Sequence, residues 1–466
     1  MNDPRRSAHS GALLTEGVGS TLSETGERRA YGLLSWPNLM MAAYGAGWSF
    51  TVPIVGQLYV AEIVSLLFLP LIGWRQTLTQ FSSLRVVLTG YVLILLGLML
   101  SDYTNGTATN EYLRGWANPL LAATGLIFVI SVLREKLNSL LFFLLFLFLF
   151  KLIFGDAGYS LGGYNVDLSY ESVVRNSNNF KIRFIPFLTP LLILLIFYAY
   201  RFGVIYSVLI CITASLVFFV FDARASGLVF FVSAILMFSR VFISKLSAGN
   251  SVLLLCAFLI LGQIGYVFYV DYSLQYNPYG HNARQLKKLD NPHNPISLLA
   301  LGRSEWTVVP TAIMDKPIFG HGSWALDHTG KYNLLRALKT DEAARYYYIA
   351  PRVRGVPTIP THSVLTTSWI WGGLVGFIGF CVLFVSVLKN MKLAFSDASA
   401  YSTILCVVFT SFLWDIFFSP FQMIRLFFPI YIGVILIISL RNLQFGESER
   451  RSMPTNEFQH RQKPAI

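Results

Sequence analysis

The sequence predicts an all-α fold: a polytopic transmembrane helical bundle of about twelve spans, with one large, partly helical loop on one side. Three observations lead there. Of 466 residues, 54% are hydrophobic and only 13% charged, where a soluble globular chain carries about 25% charged residues. The apolar residues fall in repeated runs near the roughly 20 residues that a helix needs to cross a bilayer. One long polar stretch, 271–361, interrupts them late in the chain. Lipid excludes irregular backbone, so so long a charged stretch belongs in water at a membrane face.

The elements follow in chain order. Segment 1–30 is polar and holds Arg5, Arg6, Arg28 and Arg29. It lacks the apolar core and small-residue cleavage site of a signal peptide and reads as a disordered cytoplasmic tail. Nine spans are expected within 31–270, at about 33–52, 54–73, 85–101, 115–133, 138–154, 184–200, 203–221, 227–244 and 251–270. The first two run together through Trp48–Pro53. After loop 271–361, three more fall within 362–441, near 363–388, 400–418 and 423–440. Segment 442–466, with Arg450, Arg451, Arg461 and Lys463, reads as a second cytoplasmic tail. All four cysteines (Cys211, Cys256, Cys381, Cys406) lie in apolar runs and look like small core residues, not a disulfide or zinc framework.

Charge orients the bundle. With twelve spans and a cytoplasmic N-terminus, the short inside loops hold Arg75 and Arg85, Arg134 and Lys136, Arg201, Arg240 and Lys245, and Lys389 and Lys392. The shortest opposite connections, near residues 53 and 419, carry none, which fits the positive-inside rule. Stretches 155–183, 222–226 and 271–361 then fall outside, which in a bacterial inner membrane is the periplasmic face. The net charge of +12 is split between two aqueous faces and forms no basic stripe, so nucleic acid is not its partner. Loop 271–361 holds eleven Lys/Arg against seven Asp/Glu. An anionic ligand such as a lipid-linked phosphate and a plain solvated basic surface account for that equally well.

Candidate chemistry gathers on the outer side. His281, His293, His321 and His328 lie in the long loop, and His362 stands just beyond it. Asp222-Ala223-Arg224-Ala225-Ser226-Gly227 separates two apolar runs. Arg224 there could grip a phosphate bidentately with Asp222 as partner, or the segment is a tight polar turn. In Gly302-Arg303-Ser304-Glu305-Trp306, Arg303 stands at the start of a short amphipathic helix running from Trp306 towards Ile313, which Lys316-Pro317 ends. Arg303 is either solvated or functional. His321, between Gly320 and Gly322, either contacts substrate or is structural. His362 falls where the loop enters an apolar run, which places an imidazole at headgroup level; its ordinary pKa near 6.5 suits a general base. Buried structural histidine is the alternative. Asp415 and Arg425 flank the last outer turn, as a structural pair or as support for a substrate contact. Glu62 and Lys151 sit near run ends and could snorkel. No HExxH, closely spaced Cys/His set or paired-acid motif points to a metal.

At these residues the chain resembles the bacterial O-antigen ligase and Wzy-type polymerase superfamily. Asp222–Gly227 resembles its Ser/Ala-Arg-x-Gly-like turn. Gly302-Arg303-x-x-Trp306 with Lys316-Pro317-Ile318-Phe319-Gly320-His321-Gly322 resembles its Arg-x-x-Trp and Pro-Leu-x-Gly-x-Gly region. His362-Ser363 with Gly373-Leu374-Val375-Gly376 resembles its His-Asn/Ser and Gly-Leu-x-Gly stretch. The similarity covers about residues 220–380. Two departures stand out: Asp222-Ala223 where a small polar pair is usual, and Trp371-Gly372 where an acidic residue often precedes the glycine.

The resemblance implies transfer of a glycan from an undecaprenyl-diphosphate carrier at the periplasmic face, with inversion and without metal or other cofactor. His362 would be the base and Arg224 and Arg303 the diphosphate clamps, with His321, Asp222, Trp306, Asp415 and Arg425 as supporting or substrate contacts. The acceptor would be another carrier-linked repeat in a polymerase, towards which the sequence leans because no feature marks a lipid A-core site. It would be lipid A-core in a ligase. Functional association with a flippase and a chain-length regulator is also implied. A flippase or transporter is the competing class; it predicts charged or broken helices at the bilayer midplane, whereas the distinctive residues here gather at one face. A membrane scaffold requires no convergence of Arg224, Arg303 and His362.

Overall fold

The computed structural model describes residues 35–54, 56–154, 184–221, 223–243, 248–276, 283, 286–287, 289, 291–294, 304–339, 352–353, 355–395 and 399–452. The chain is largely α-helical, and its several long apolar helices are consistent with a polytopic membrane protein. Helix α1 (Trp36–Gly47) leads into a hairpin, β1 (Thr51–Ile54) and β2 (Gly56–Tyr59), paired antiparallel with Val52 opposite Leu58. Then come α2 (Val60–Phe68), α3 (Trp74–Gln80), α4 (Ser82–Asn105), α5 (Thr109–Glu135) and α6 (Ser139–Phe154). The middle of the chain gives α7 (Ile185–Ala199), α8 (Val204–Val220), α9 (Arg224–Ile243) and α10 (Ala248–Tyr276). The loop region adds a 3₁₀ turn (Ser304–Thr307), the short α11 (Val309–Asp315), α12 (Lys331–Lys339), and a two-residue ribbon, β3 (Arg352–Val353) with β4 (Val356–Pro357). The chain closes with α13 (Val364–Ala394), α14 (Tyr401–Phe418), α15 (Met423–Leu426) and α16 (Phe428–Ser452), the last continuing well past Arg441.

The expected bundle of about twelve spans is corrected by this architecture. Among the described residues, five helices are long and apolar enough to cross a membrane: Ser82–Asn105, Thr109–Glu135, Ile185–Phe202, Val364–Ala394 and Tyr401–Phe418. Four further apolar helices are shorter: Val60–Leu71, Ser139–Phe154, Val204–Val220 and Phe428–Gln444. In four of the runs the discrepancy is one of backbone, not of hydrophobicity. Run 33–52 holds a helix of only 12 residues before Trp48 turns the chain into the hairpin. Run 54–73 is divided between a strand, a 9-residue helix and a 3₁₀ turn built on Pro70. The 16 and 17 residues of α6 and α8 reach about 24–26 Å at the helical rise of 1.5 Å, short of a hydrocarbon core of about 30 Å. Helix α9 carries Arg224 and Arg240 at its two ends.

The tightest helix pair is α4 against α13, and small residues create it. A Cβ on Gly97 would stand 2.4 Å from the Gly376 nitrogen, and one on Gly90 would stand 2.8 Å from the Gly379 carbonyl oxygen. The backbones therefore touch, as small residues permit where apolar helices meet. These pairs run in opposite order along the two helices, so the Asn105 end of α4 lies beside the Val364 end of α13. Helix α13 breaks at Gly373, whose φ is +62°. Into that break docks the segment after α11: His321 N–H donates to the Ile370 carbonyl (2.7 Å), Gly322 N–H to Trp371 (3.2 Å), and Leu374 N–H to Ile318 (2.9 Å). The groups freed by the break are thus paired again, as buried backbone requires.

Candidate functional site

Hydrogen bonds at helix ends fix which candidates share an end of the bundle. His362 stands one residue before the N-cap of α13, Ser363, whose hydroxyl donates to the Ile416 carbonyl at 3.0 Å, joining the start of α13 to the last turn of α14. Ser363 also caps α13, accepting from the Thr366 N–H at 3.3 Å. Trp306 stacks on Phe418 at the end of α14, with ring centroids 5.9 Å apart and 3° between planes. Arg240 Nε donates to the Phe395 carbonyl at 2.9 Å, beyond the far end of α13. Arg224 therefore lies sixteen residues back along α9, about 24 Å towards the end that bears His362. There it has electrostatic reach to Tyr266, whose hydroxyl donates to the Pro292 carbonyl at 2.8 Å.

The hydrogen bond of His362 selects one neutral tautomer. Its Nδ1 lies 2.7 Å from the Thr361 carbonyl; a carbonyl only accepts, so Nδ1 carries the hydrogen and Nε2 of the neutral ring keeps its lone pair. The side chain is 43% exposed. Behind it stands Glu305, whose Oε1 is 3.9 Å from His362 Nδ1 and whose Oε2 is 3.9 Å from an Arg336 nitrogen. Glu305 and Arg336 were not singled out in the sequence. Their signal was faint: Glu305 adjoins Trp306, and Arg336 sits in the amphipathic helix Lys331–Lys339.

His321 has a structural placement. Its Nε2–H donates to the Ala312 carbonyl at 2.8 Å, and its ring meets Tyr332 edge-on at 5.6 Å. Burial pushes its pKa below the ordinary imidazole value, against the opposing pull of that carbonyl. Around it, Asp315 accepts from Lys331 Nζ and the Tyr332 hydroxyl, each at 2.5 Å. The hydrogen bond from Lys331, then that from Tyr332, holds the Asp315 carboxyl below its ordinary value. Asp327 accepts from the backbone N–H groups of Tyr332 (3.1 Å) and Asn333 (2.9 Å), which caps α12.

The docked segment is clamped by the end of α4, a set of contacts that the sequence did not announce. Asp102 accepts from the Ser323 N–H (2.6 Å), the Ser323 hydroxyl (2.7 Å) and the Trp116 indole N–H (2.8 Å). The Ser101 hydroxyl accepts from the Gly322 N–H (2.7 Å), Asn105 Nδ2 donates to the Gly320 carbonyl (3.1 Å), and Lys316 donates to Asn105.

Asp415 and Arg425 turn to separate partners. The Ser419 hydroxyl donates to Asp415 at 2.6 Å. Arg425 reaches back to α2 and the hairpin: its Nε is 3.5 Å from Glu62, and it donates to the Gln57 carbonyl at 2.9 Å. Glu62 is buried, not snorkelling. Arg303 and Asp222 lie outside the described residues. Among the described residues, no group of three or more His, Cys, Asp or Glu is placed to hold a metal ion, and Cys211, Cys381 and Cys406 are free thiols.

No family model matches the chain, and no curated protein matches it.

Proposed function

We propose that the chain is a membrane glycosyltransferase that moves a glycan from an undecaprenyl-diphosphate carrier to an acceptor hydroxyl, at the membrane face that bears the 271–361 loop. The observation that carries this reading is His362. It is an accessible imidazole with its Nε2 lone pair free, at the mouth of an apolar helix, and the opposite end of that helix is where Arg240, sixteen residues along α9 from Arg224, makes its contact. In the reaction, His362 Nε2 takes the proton of the acceptor hydroxyl as its oxygen bonds to the anomeric carbon of the donor. The bond from that carbon to the diphosphate oxygen breaks with its electrons, inverting the centre and releasing undecaprenyl diphosphate. Arg224 and Arg303 meet the charge that builds on the leaving group, which a guanidinium fork does better than a point charge. The O-antigen polymerase and ligase resemblance supplies the substrate class. A second carrier-linked repeat is the acceptor favoured here, in a bacterial inner membrane with the loop on the periplasmic side.

The test is substitution at matched expression and membrane insertion. His362→Ala is expected to lower glycan transfer by about 100- to 10,000-fold, the range for loss of a positioned base. Arg224→Lys and Arg303→Lys are expected to impair it as well. Near-normal transfer by His362→Ala would end the assignment of the base, and full activity in either lysine variant would remove that arginine from the clamp.

A further inference from the structure

Glu305 and Arg336 have no task in the reaction just described, and the placement of Glu305 is costly. It sits on a single 3₁₀ turn in a polar loop, where a carboxylate could meet water freely, yet it is 4% exposed. Burying a carboxylate is unfavourable unless a cation and hydrogen bonds compensate it. One cation beside it is Arg336, 18% exposed and 3.9 Å from Oε2. The other carboxylate oxygen lies 3.9 Å from His362 Nδ1. Because the Nδ1 hydrogen is already given to Thr361, Glu305 does not select the tautomer. What it supplies beside the ring is a negative charge on a buried side chain, less screened than one in bulk solvent.

We propose that Glu305, paired with Arg336, is a positioning residue that stabilises the imidazolium formed as His362 takes the acceptor's proton. This inference rests on the glycan-transfer reading. The proton passes from the acceptor hydroxyl to His362 Nε2, the new bond forms at the anomeric carbon, and the diphosphate departs with the electrons of the old bond. His362 gains one positive charge, and the Glu305 carboxylate offsets it. The charge exists only as the reaction proceeds, so Glu305 acts on kcat and leaves ground-state binding alone.

The experiment uses the full chain in liposomes with an undecaprenyl-diphosphate-linked glycan as donor and a separate carrier-linked glycan as acceptor. Glu305→Gln keeps the shape and removes the charge. It is expected to lower kcat by about 10- to 100-fold with both KM values within about twofold of the parent. Glu305→Asp is expected to recover a large part of kcat. Parent-level kcat in Glu305→Gln, with His362→Ala inactive, would overturn the role of Glu305 alone. Parent-level activity in His362→Ala would instead show that the transfer reading itself fails at its base. A loss in Glu305→Gln that tracks a fall in thermal midpoint and is not relieved by Glu305→Asp would mark a carboxylate that only holds the loop, and would also overturn the proposal.

Discussion

His321 ties loop stability to pH in a direction set by its burial. The fold favours the neutral ring, so its contribution is whole above the ordinary histidine value of 6.5 and is lost as pH falls through the lowered folded value. The charged groups facing it are Lys316, Asp315 and Asp327. Asp315 follows the same sign in a lower window: its contribution is present above the ordinary 3.8 and is lost as pH falls through its depressed value. We expect protease resistance of the 316–323 segment to fall first below about pH 6.5, with His321→Gln removing that first step. A parent protein insensitive to pH between 7 and the acid carboxylate range would contradict this. Arg425 gives a second residue-scale expectation. It and Glu62 are 14% and 3% exposed, and removing one partner of a buried pair leaves the other uncompensated. Arg425→Ala should therefore cost about 3–5 kcal/mol of stability, read as a lowered thermal midpoint in detergent; an unchanged midpoint would show that the pair carries no such weight. The sequence singled out His362 as an imidazole at a loop-to-helix junction, and the structure places it there with its side chain 43% exposed. The sequence hid the Glu305–His362 and Glu62–Arg425 pairs because each joins residues far apart in the chain, and a lone glutamate carries no local sign of its partner.

Between elements, the close seam of α4 and α13 makes a sharper prediction than any hydrophobic run. Gly97→Val would drive its side chain into the Gly376 backbone, 2.4 Å from where its Cβ must stand. Backbone cannot step aside as a flexible side chain can, so we expect a loss of about 1–3 kcal/mol and loosening of the 316–323 segment, because Ser101 and Asp102 move with α4. Wild-type stability and protease resistance in that variant would contradict the seam. Gly320, Gly322, Gly373 and Gly376 all stood in the motifs that the sequence brought out. That the 316–323 segment plugs a break in α13 was not legible, since it depends on Gly373 adopting φ +62° with Ile318 opposite it. Helix lengths were the weaker part of the reading. Apolar composition marks what avoids water, but Pro53, Pro70 and the Trp48 turn decide where a helix ends in runs 33–52 and 54–73, so neither run gives one of the five full-length candidates among the described residues.

Across the whole molecule, one end of the bundle holds His362, Glu305, Arg336, Trp306 and the Asp102 clamp, and α9 starts at Arg224, sixteen residues from the Arg240 contact at the opposite end of α13. The sequence pointed to that end through its polar loop and three short motifs, and what it could not supply was the set of tertiary pairings that hold the loop in place. The central claim is that this end transfers a glycan from a carrier diphosphate. It is tested most directly by reconstituting the purified chain with defined undecaprenyl-diphosphate glycan and acceptor, and measuring release of undecaprenyl diphosphate against glycan joined. The account predicts one carrier diphosphate released per glycosidic bond made, with an inverted anomeric centre and dependence on His362. Movement of the intact lipid-linked glycan across the bilayer, with no bond made and no diphosphate released, would contradict it.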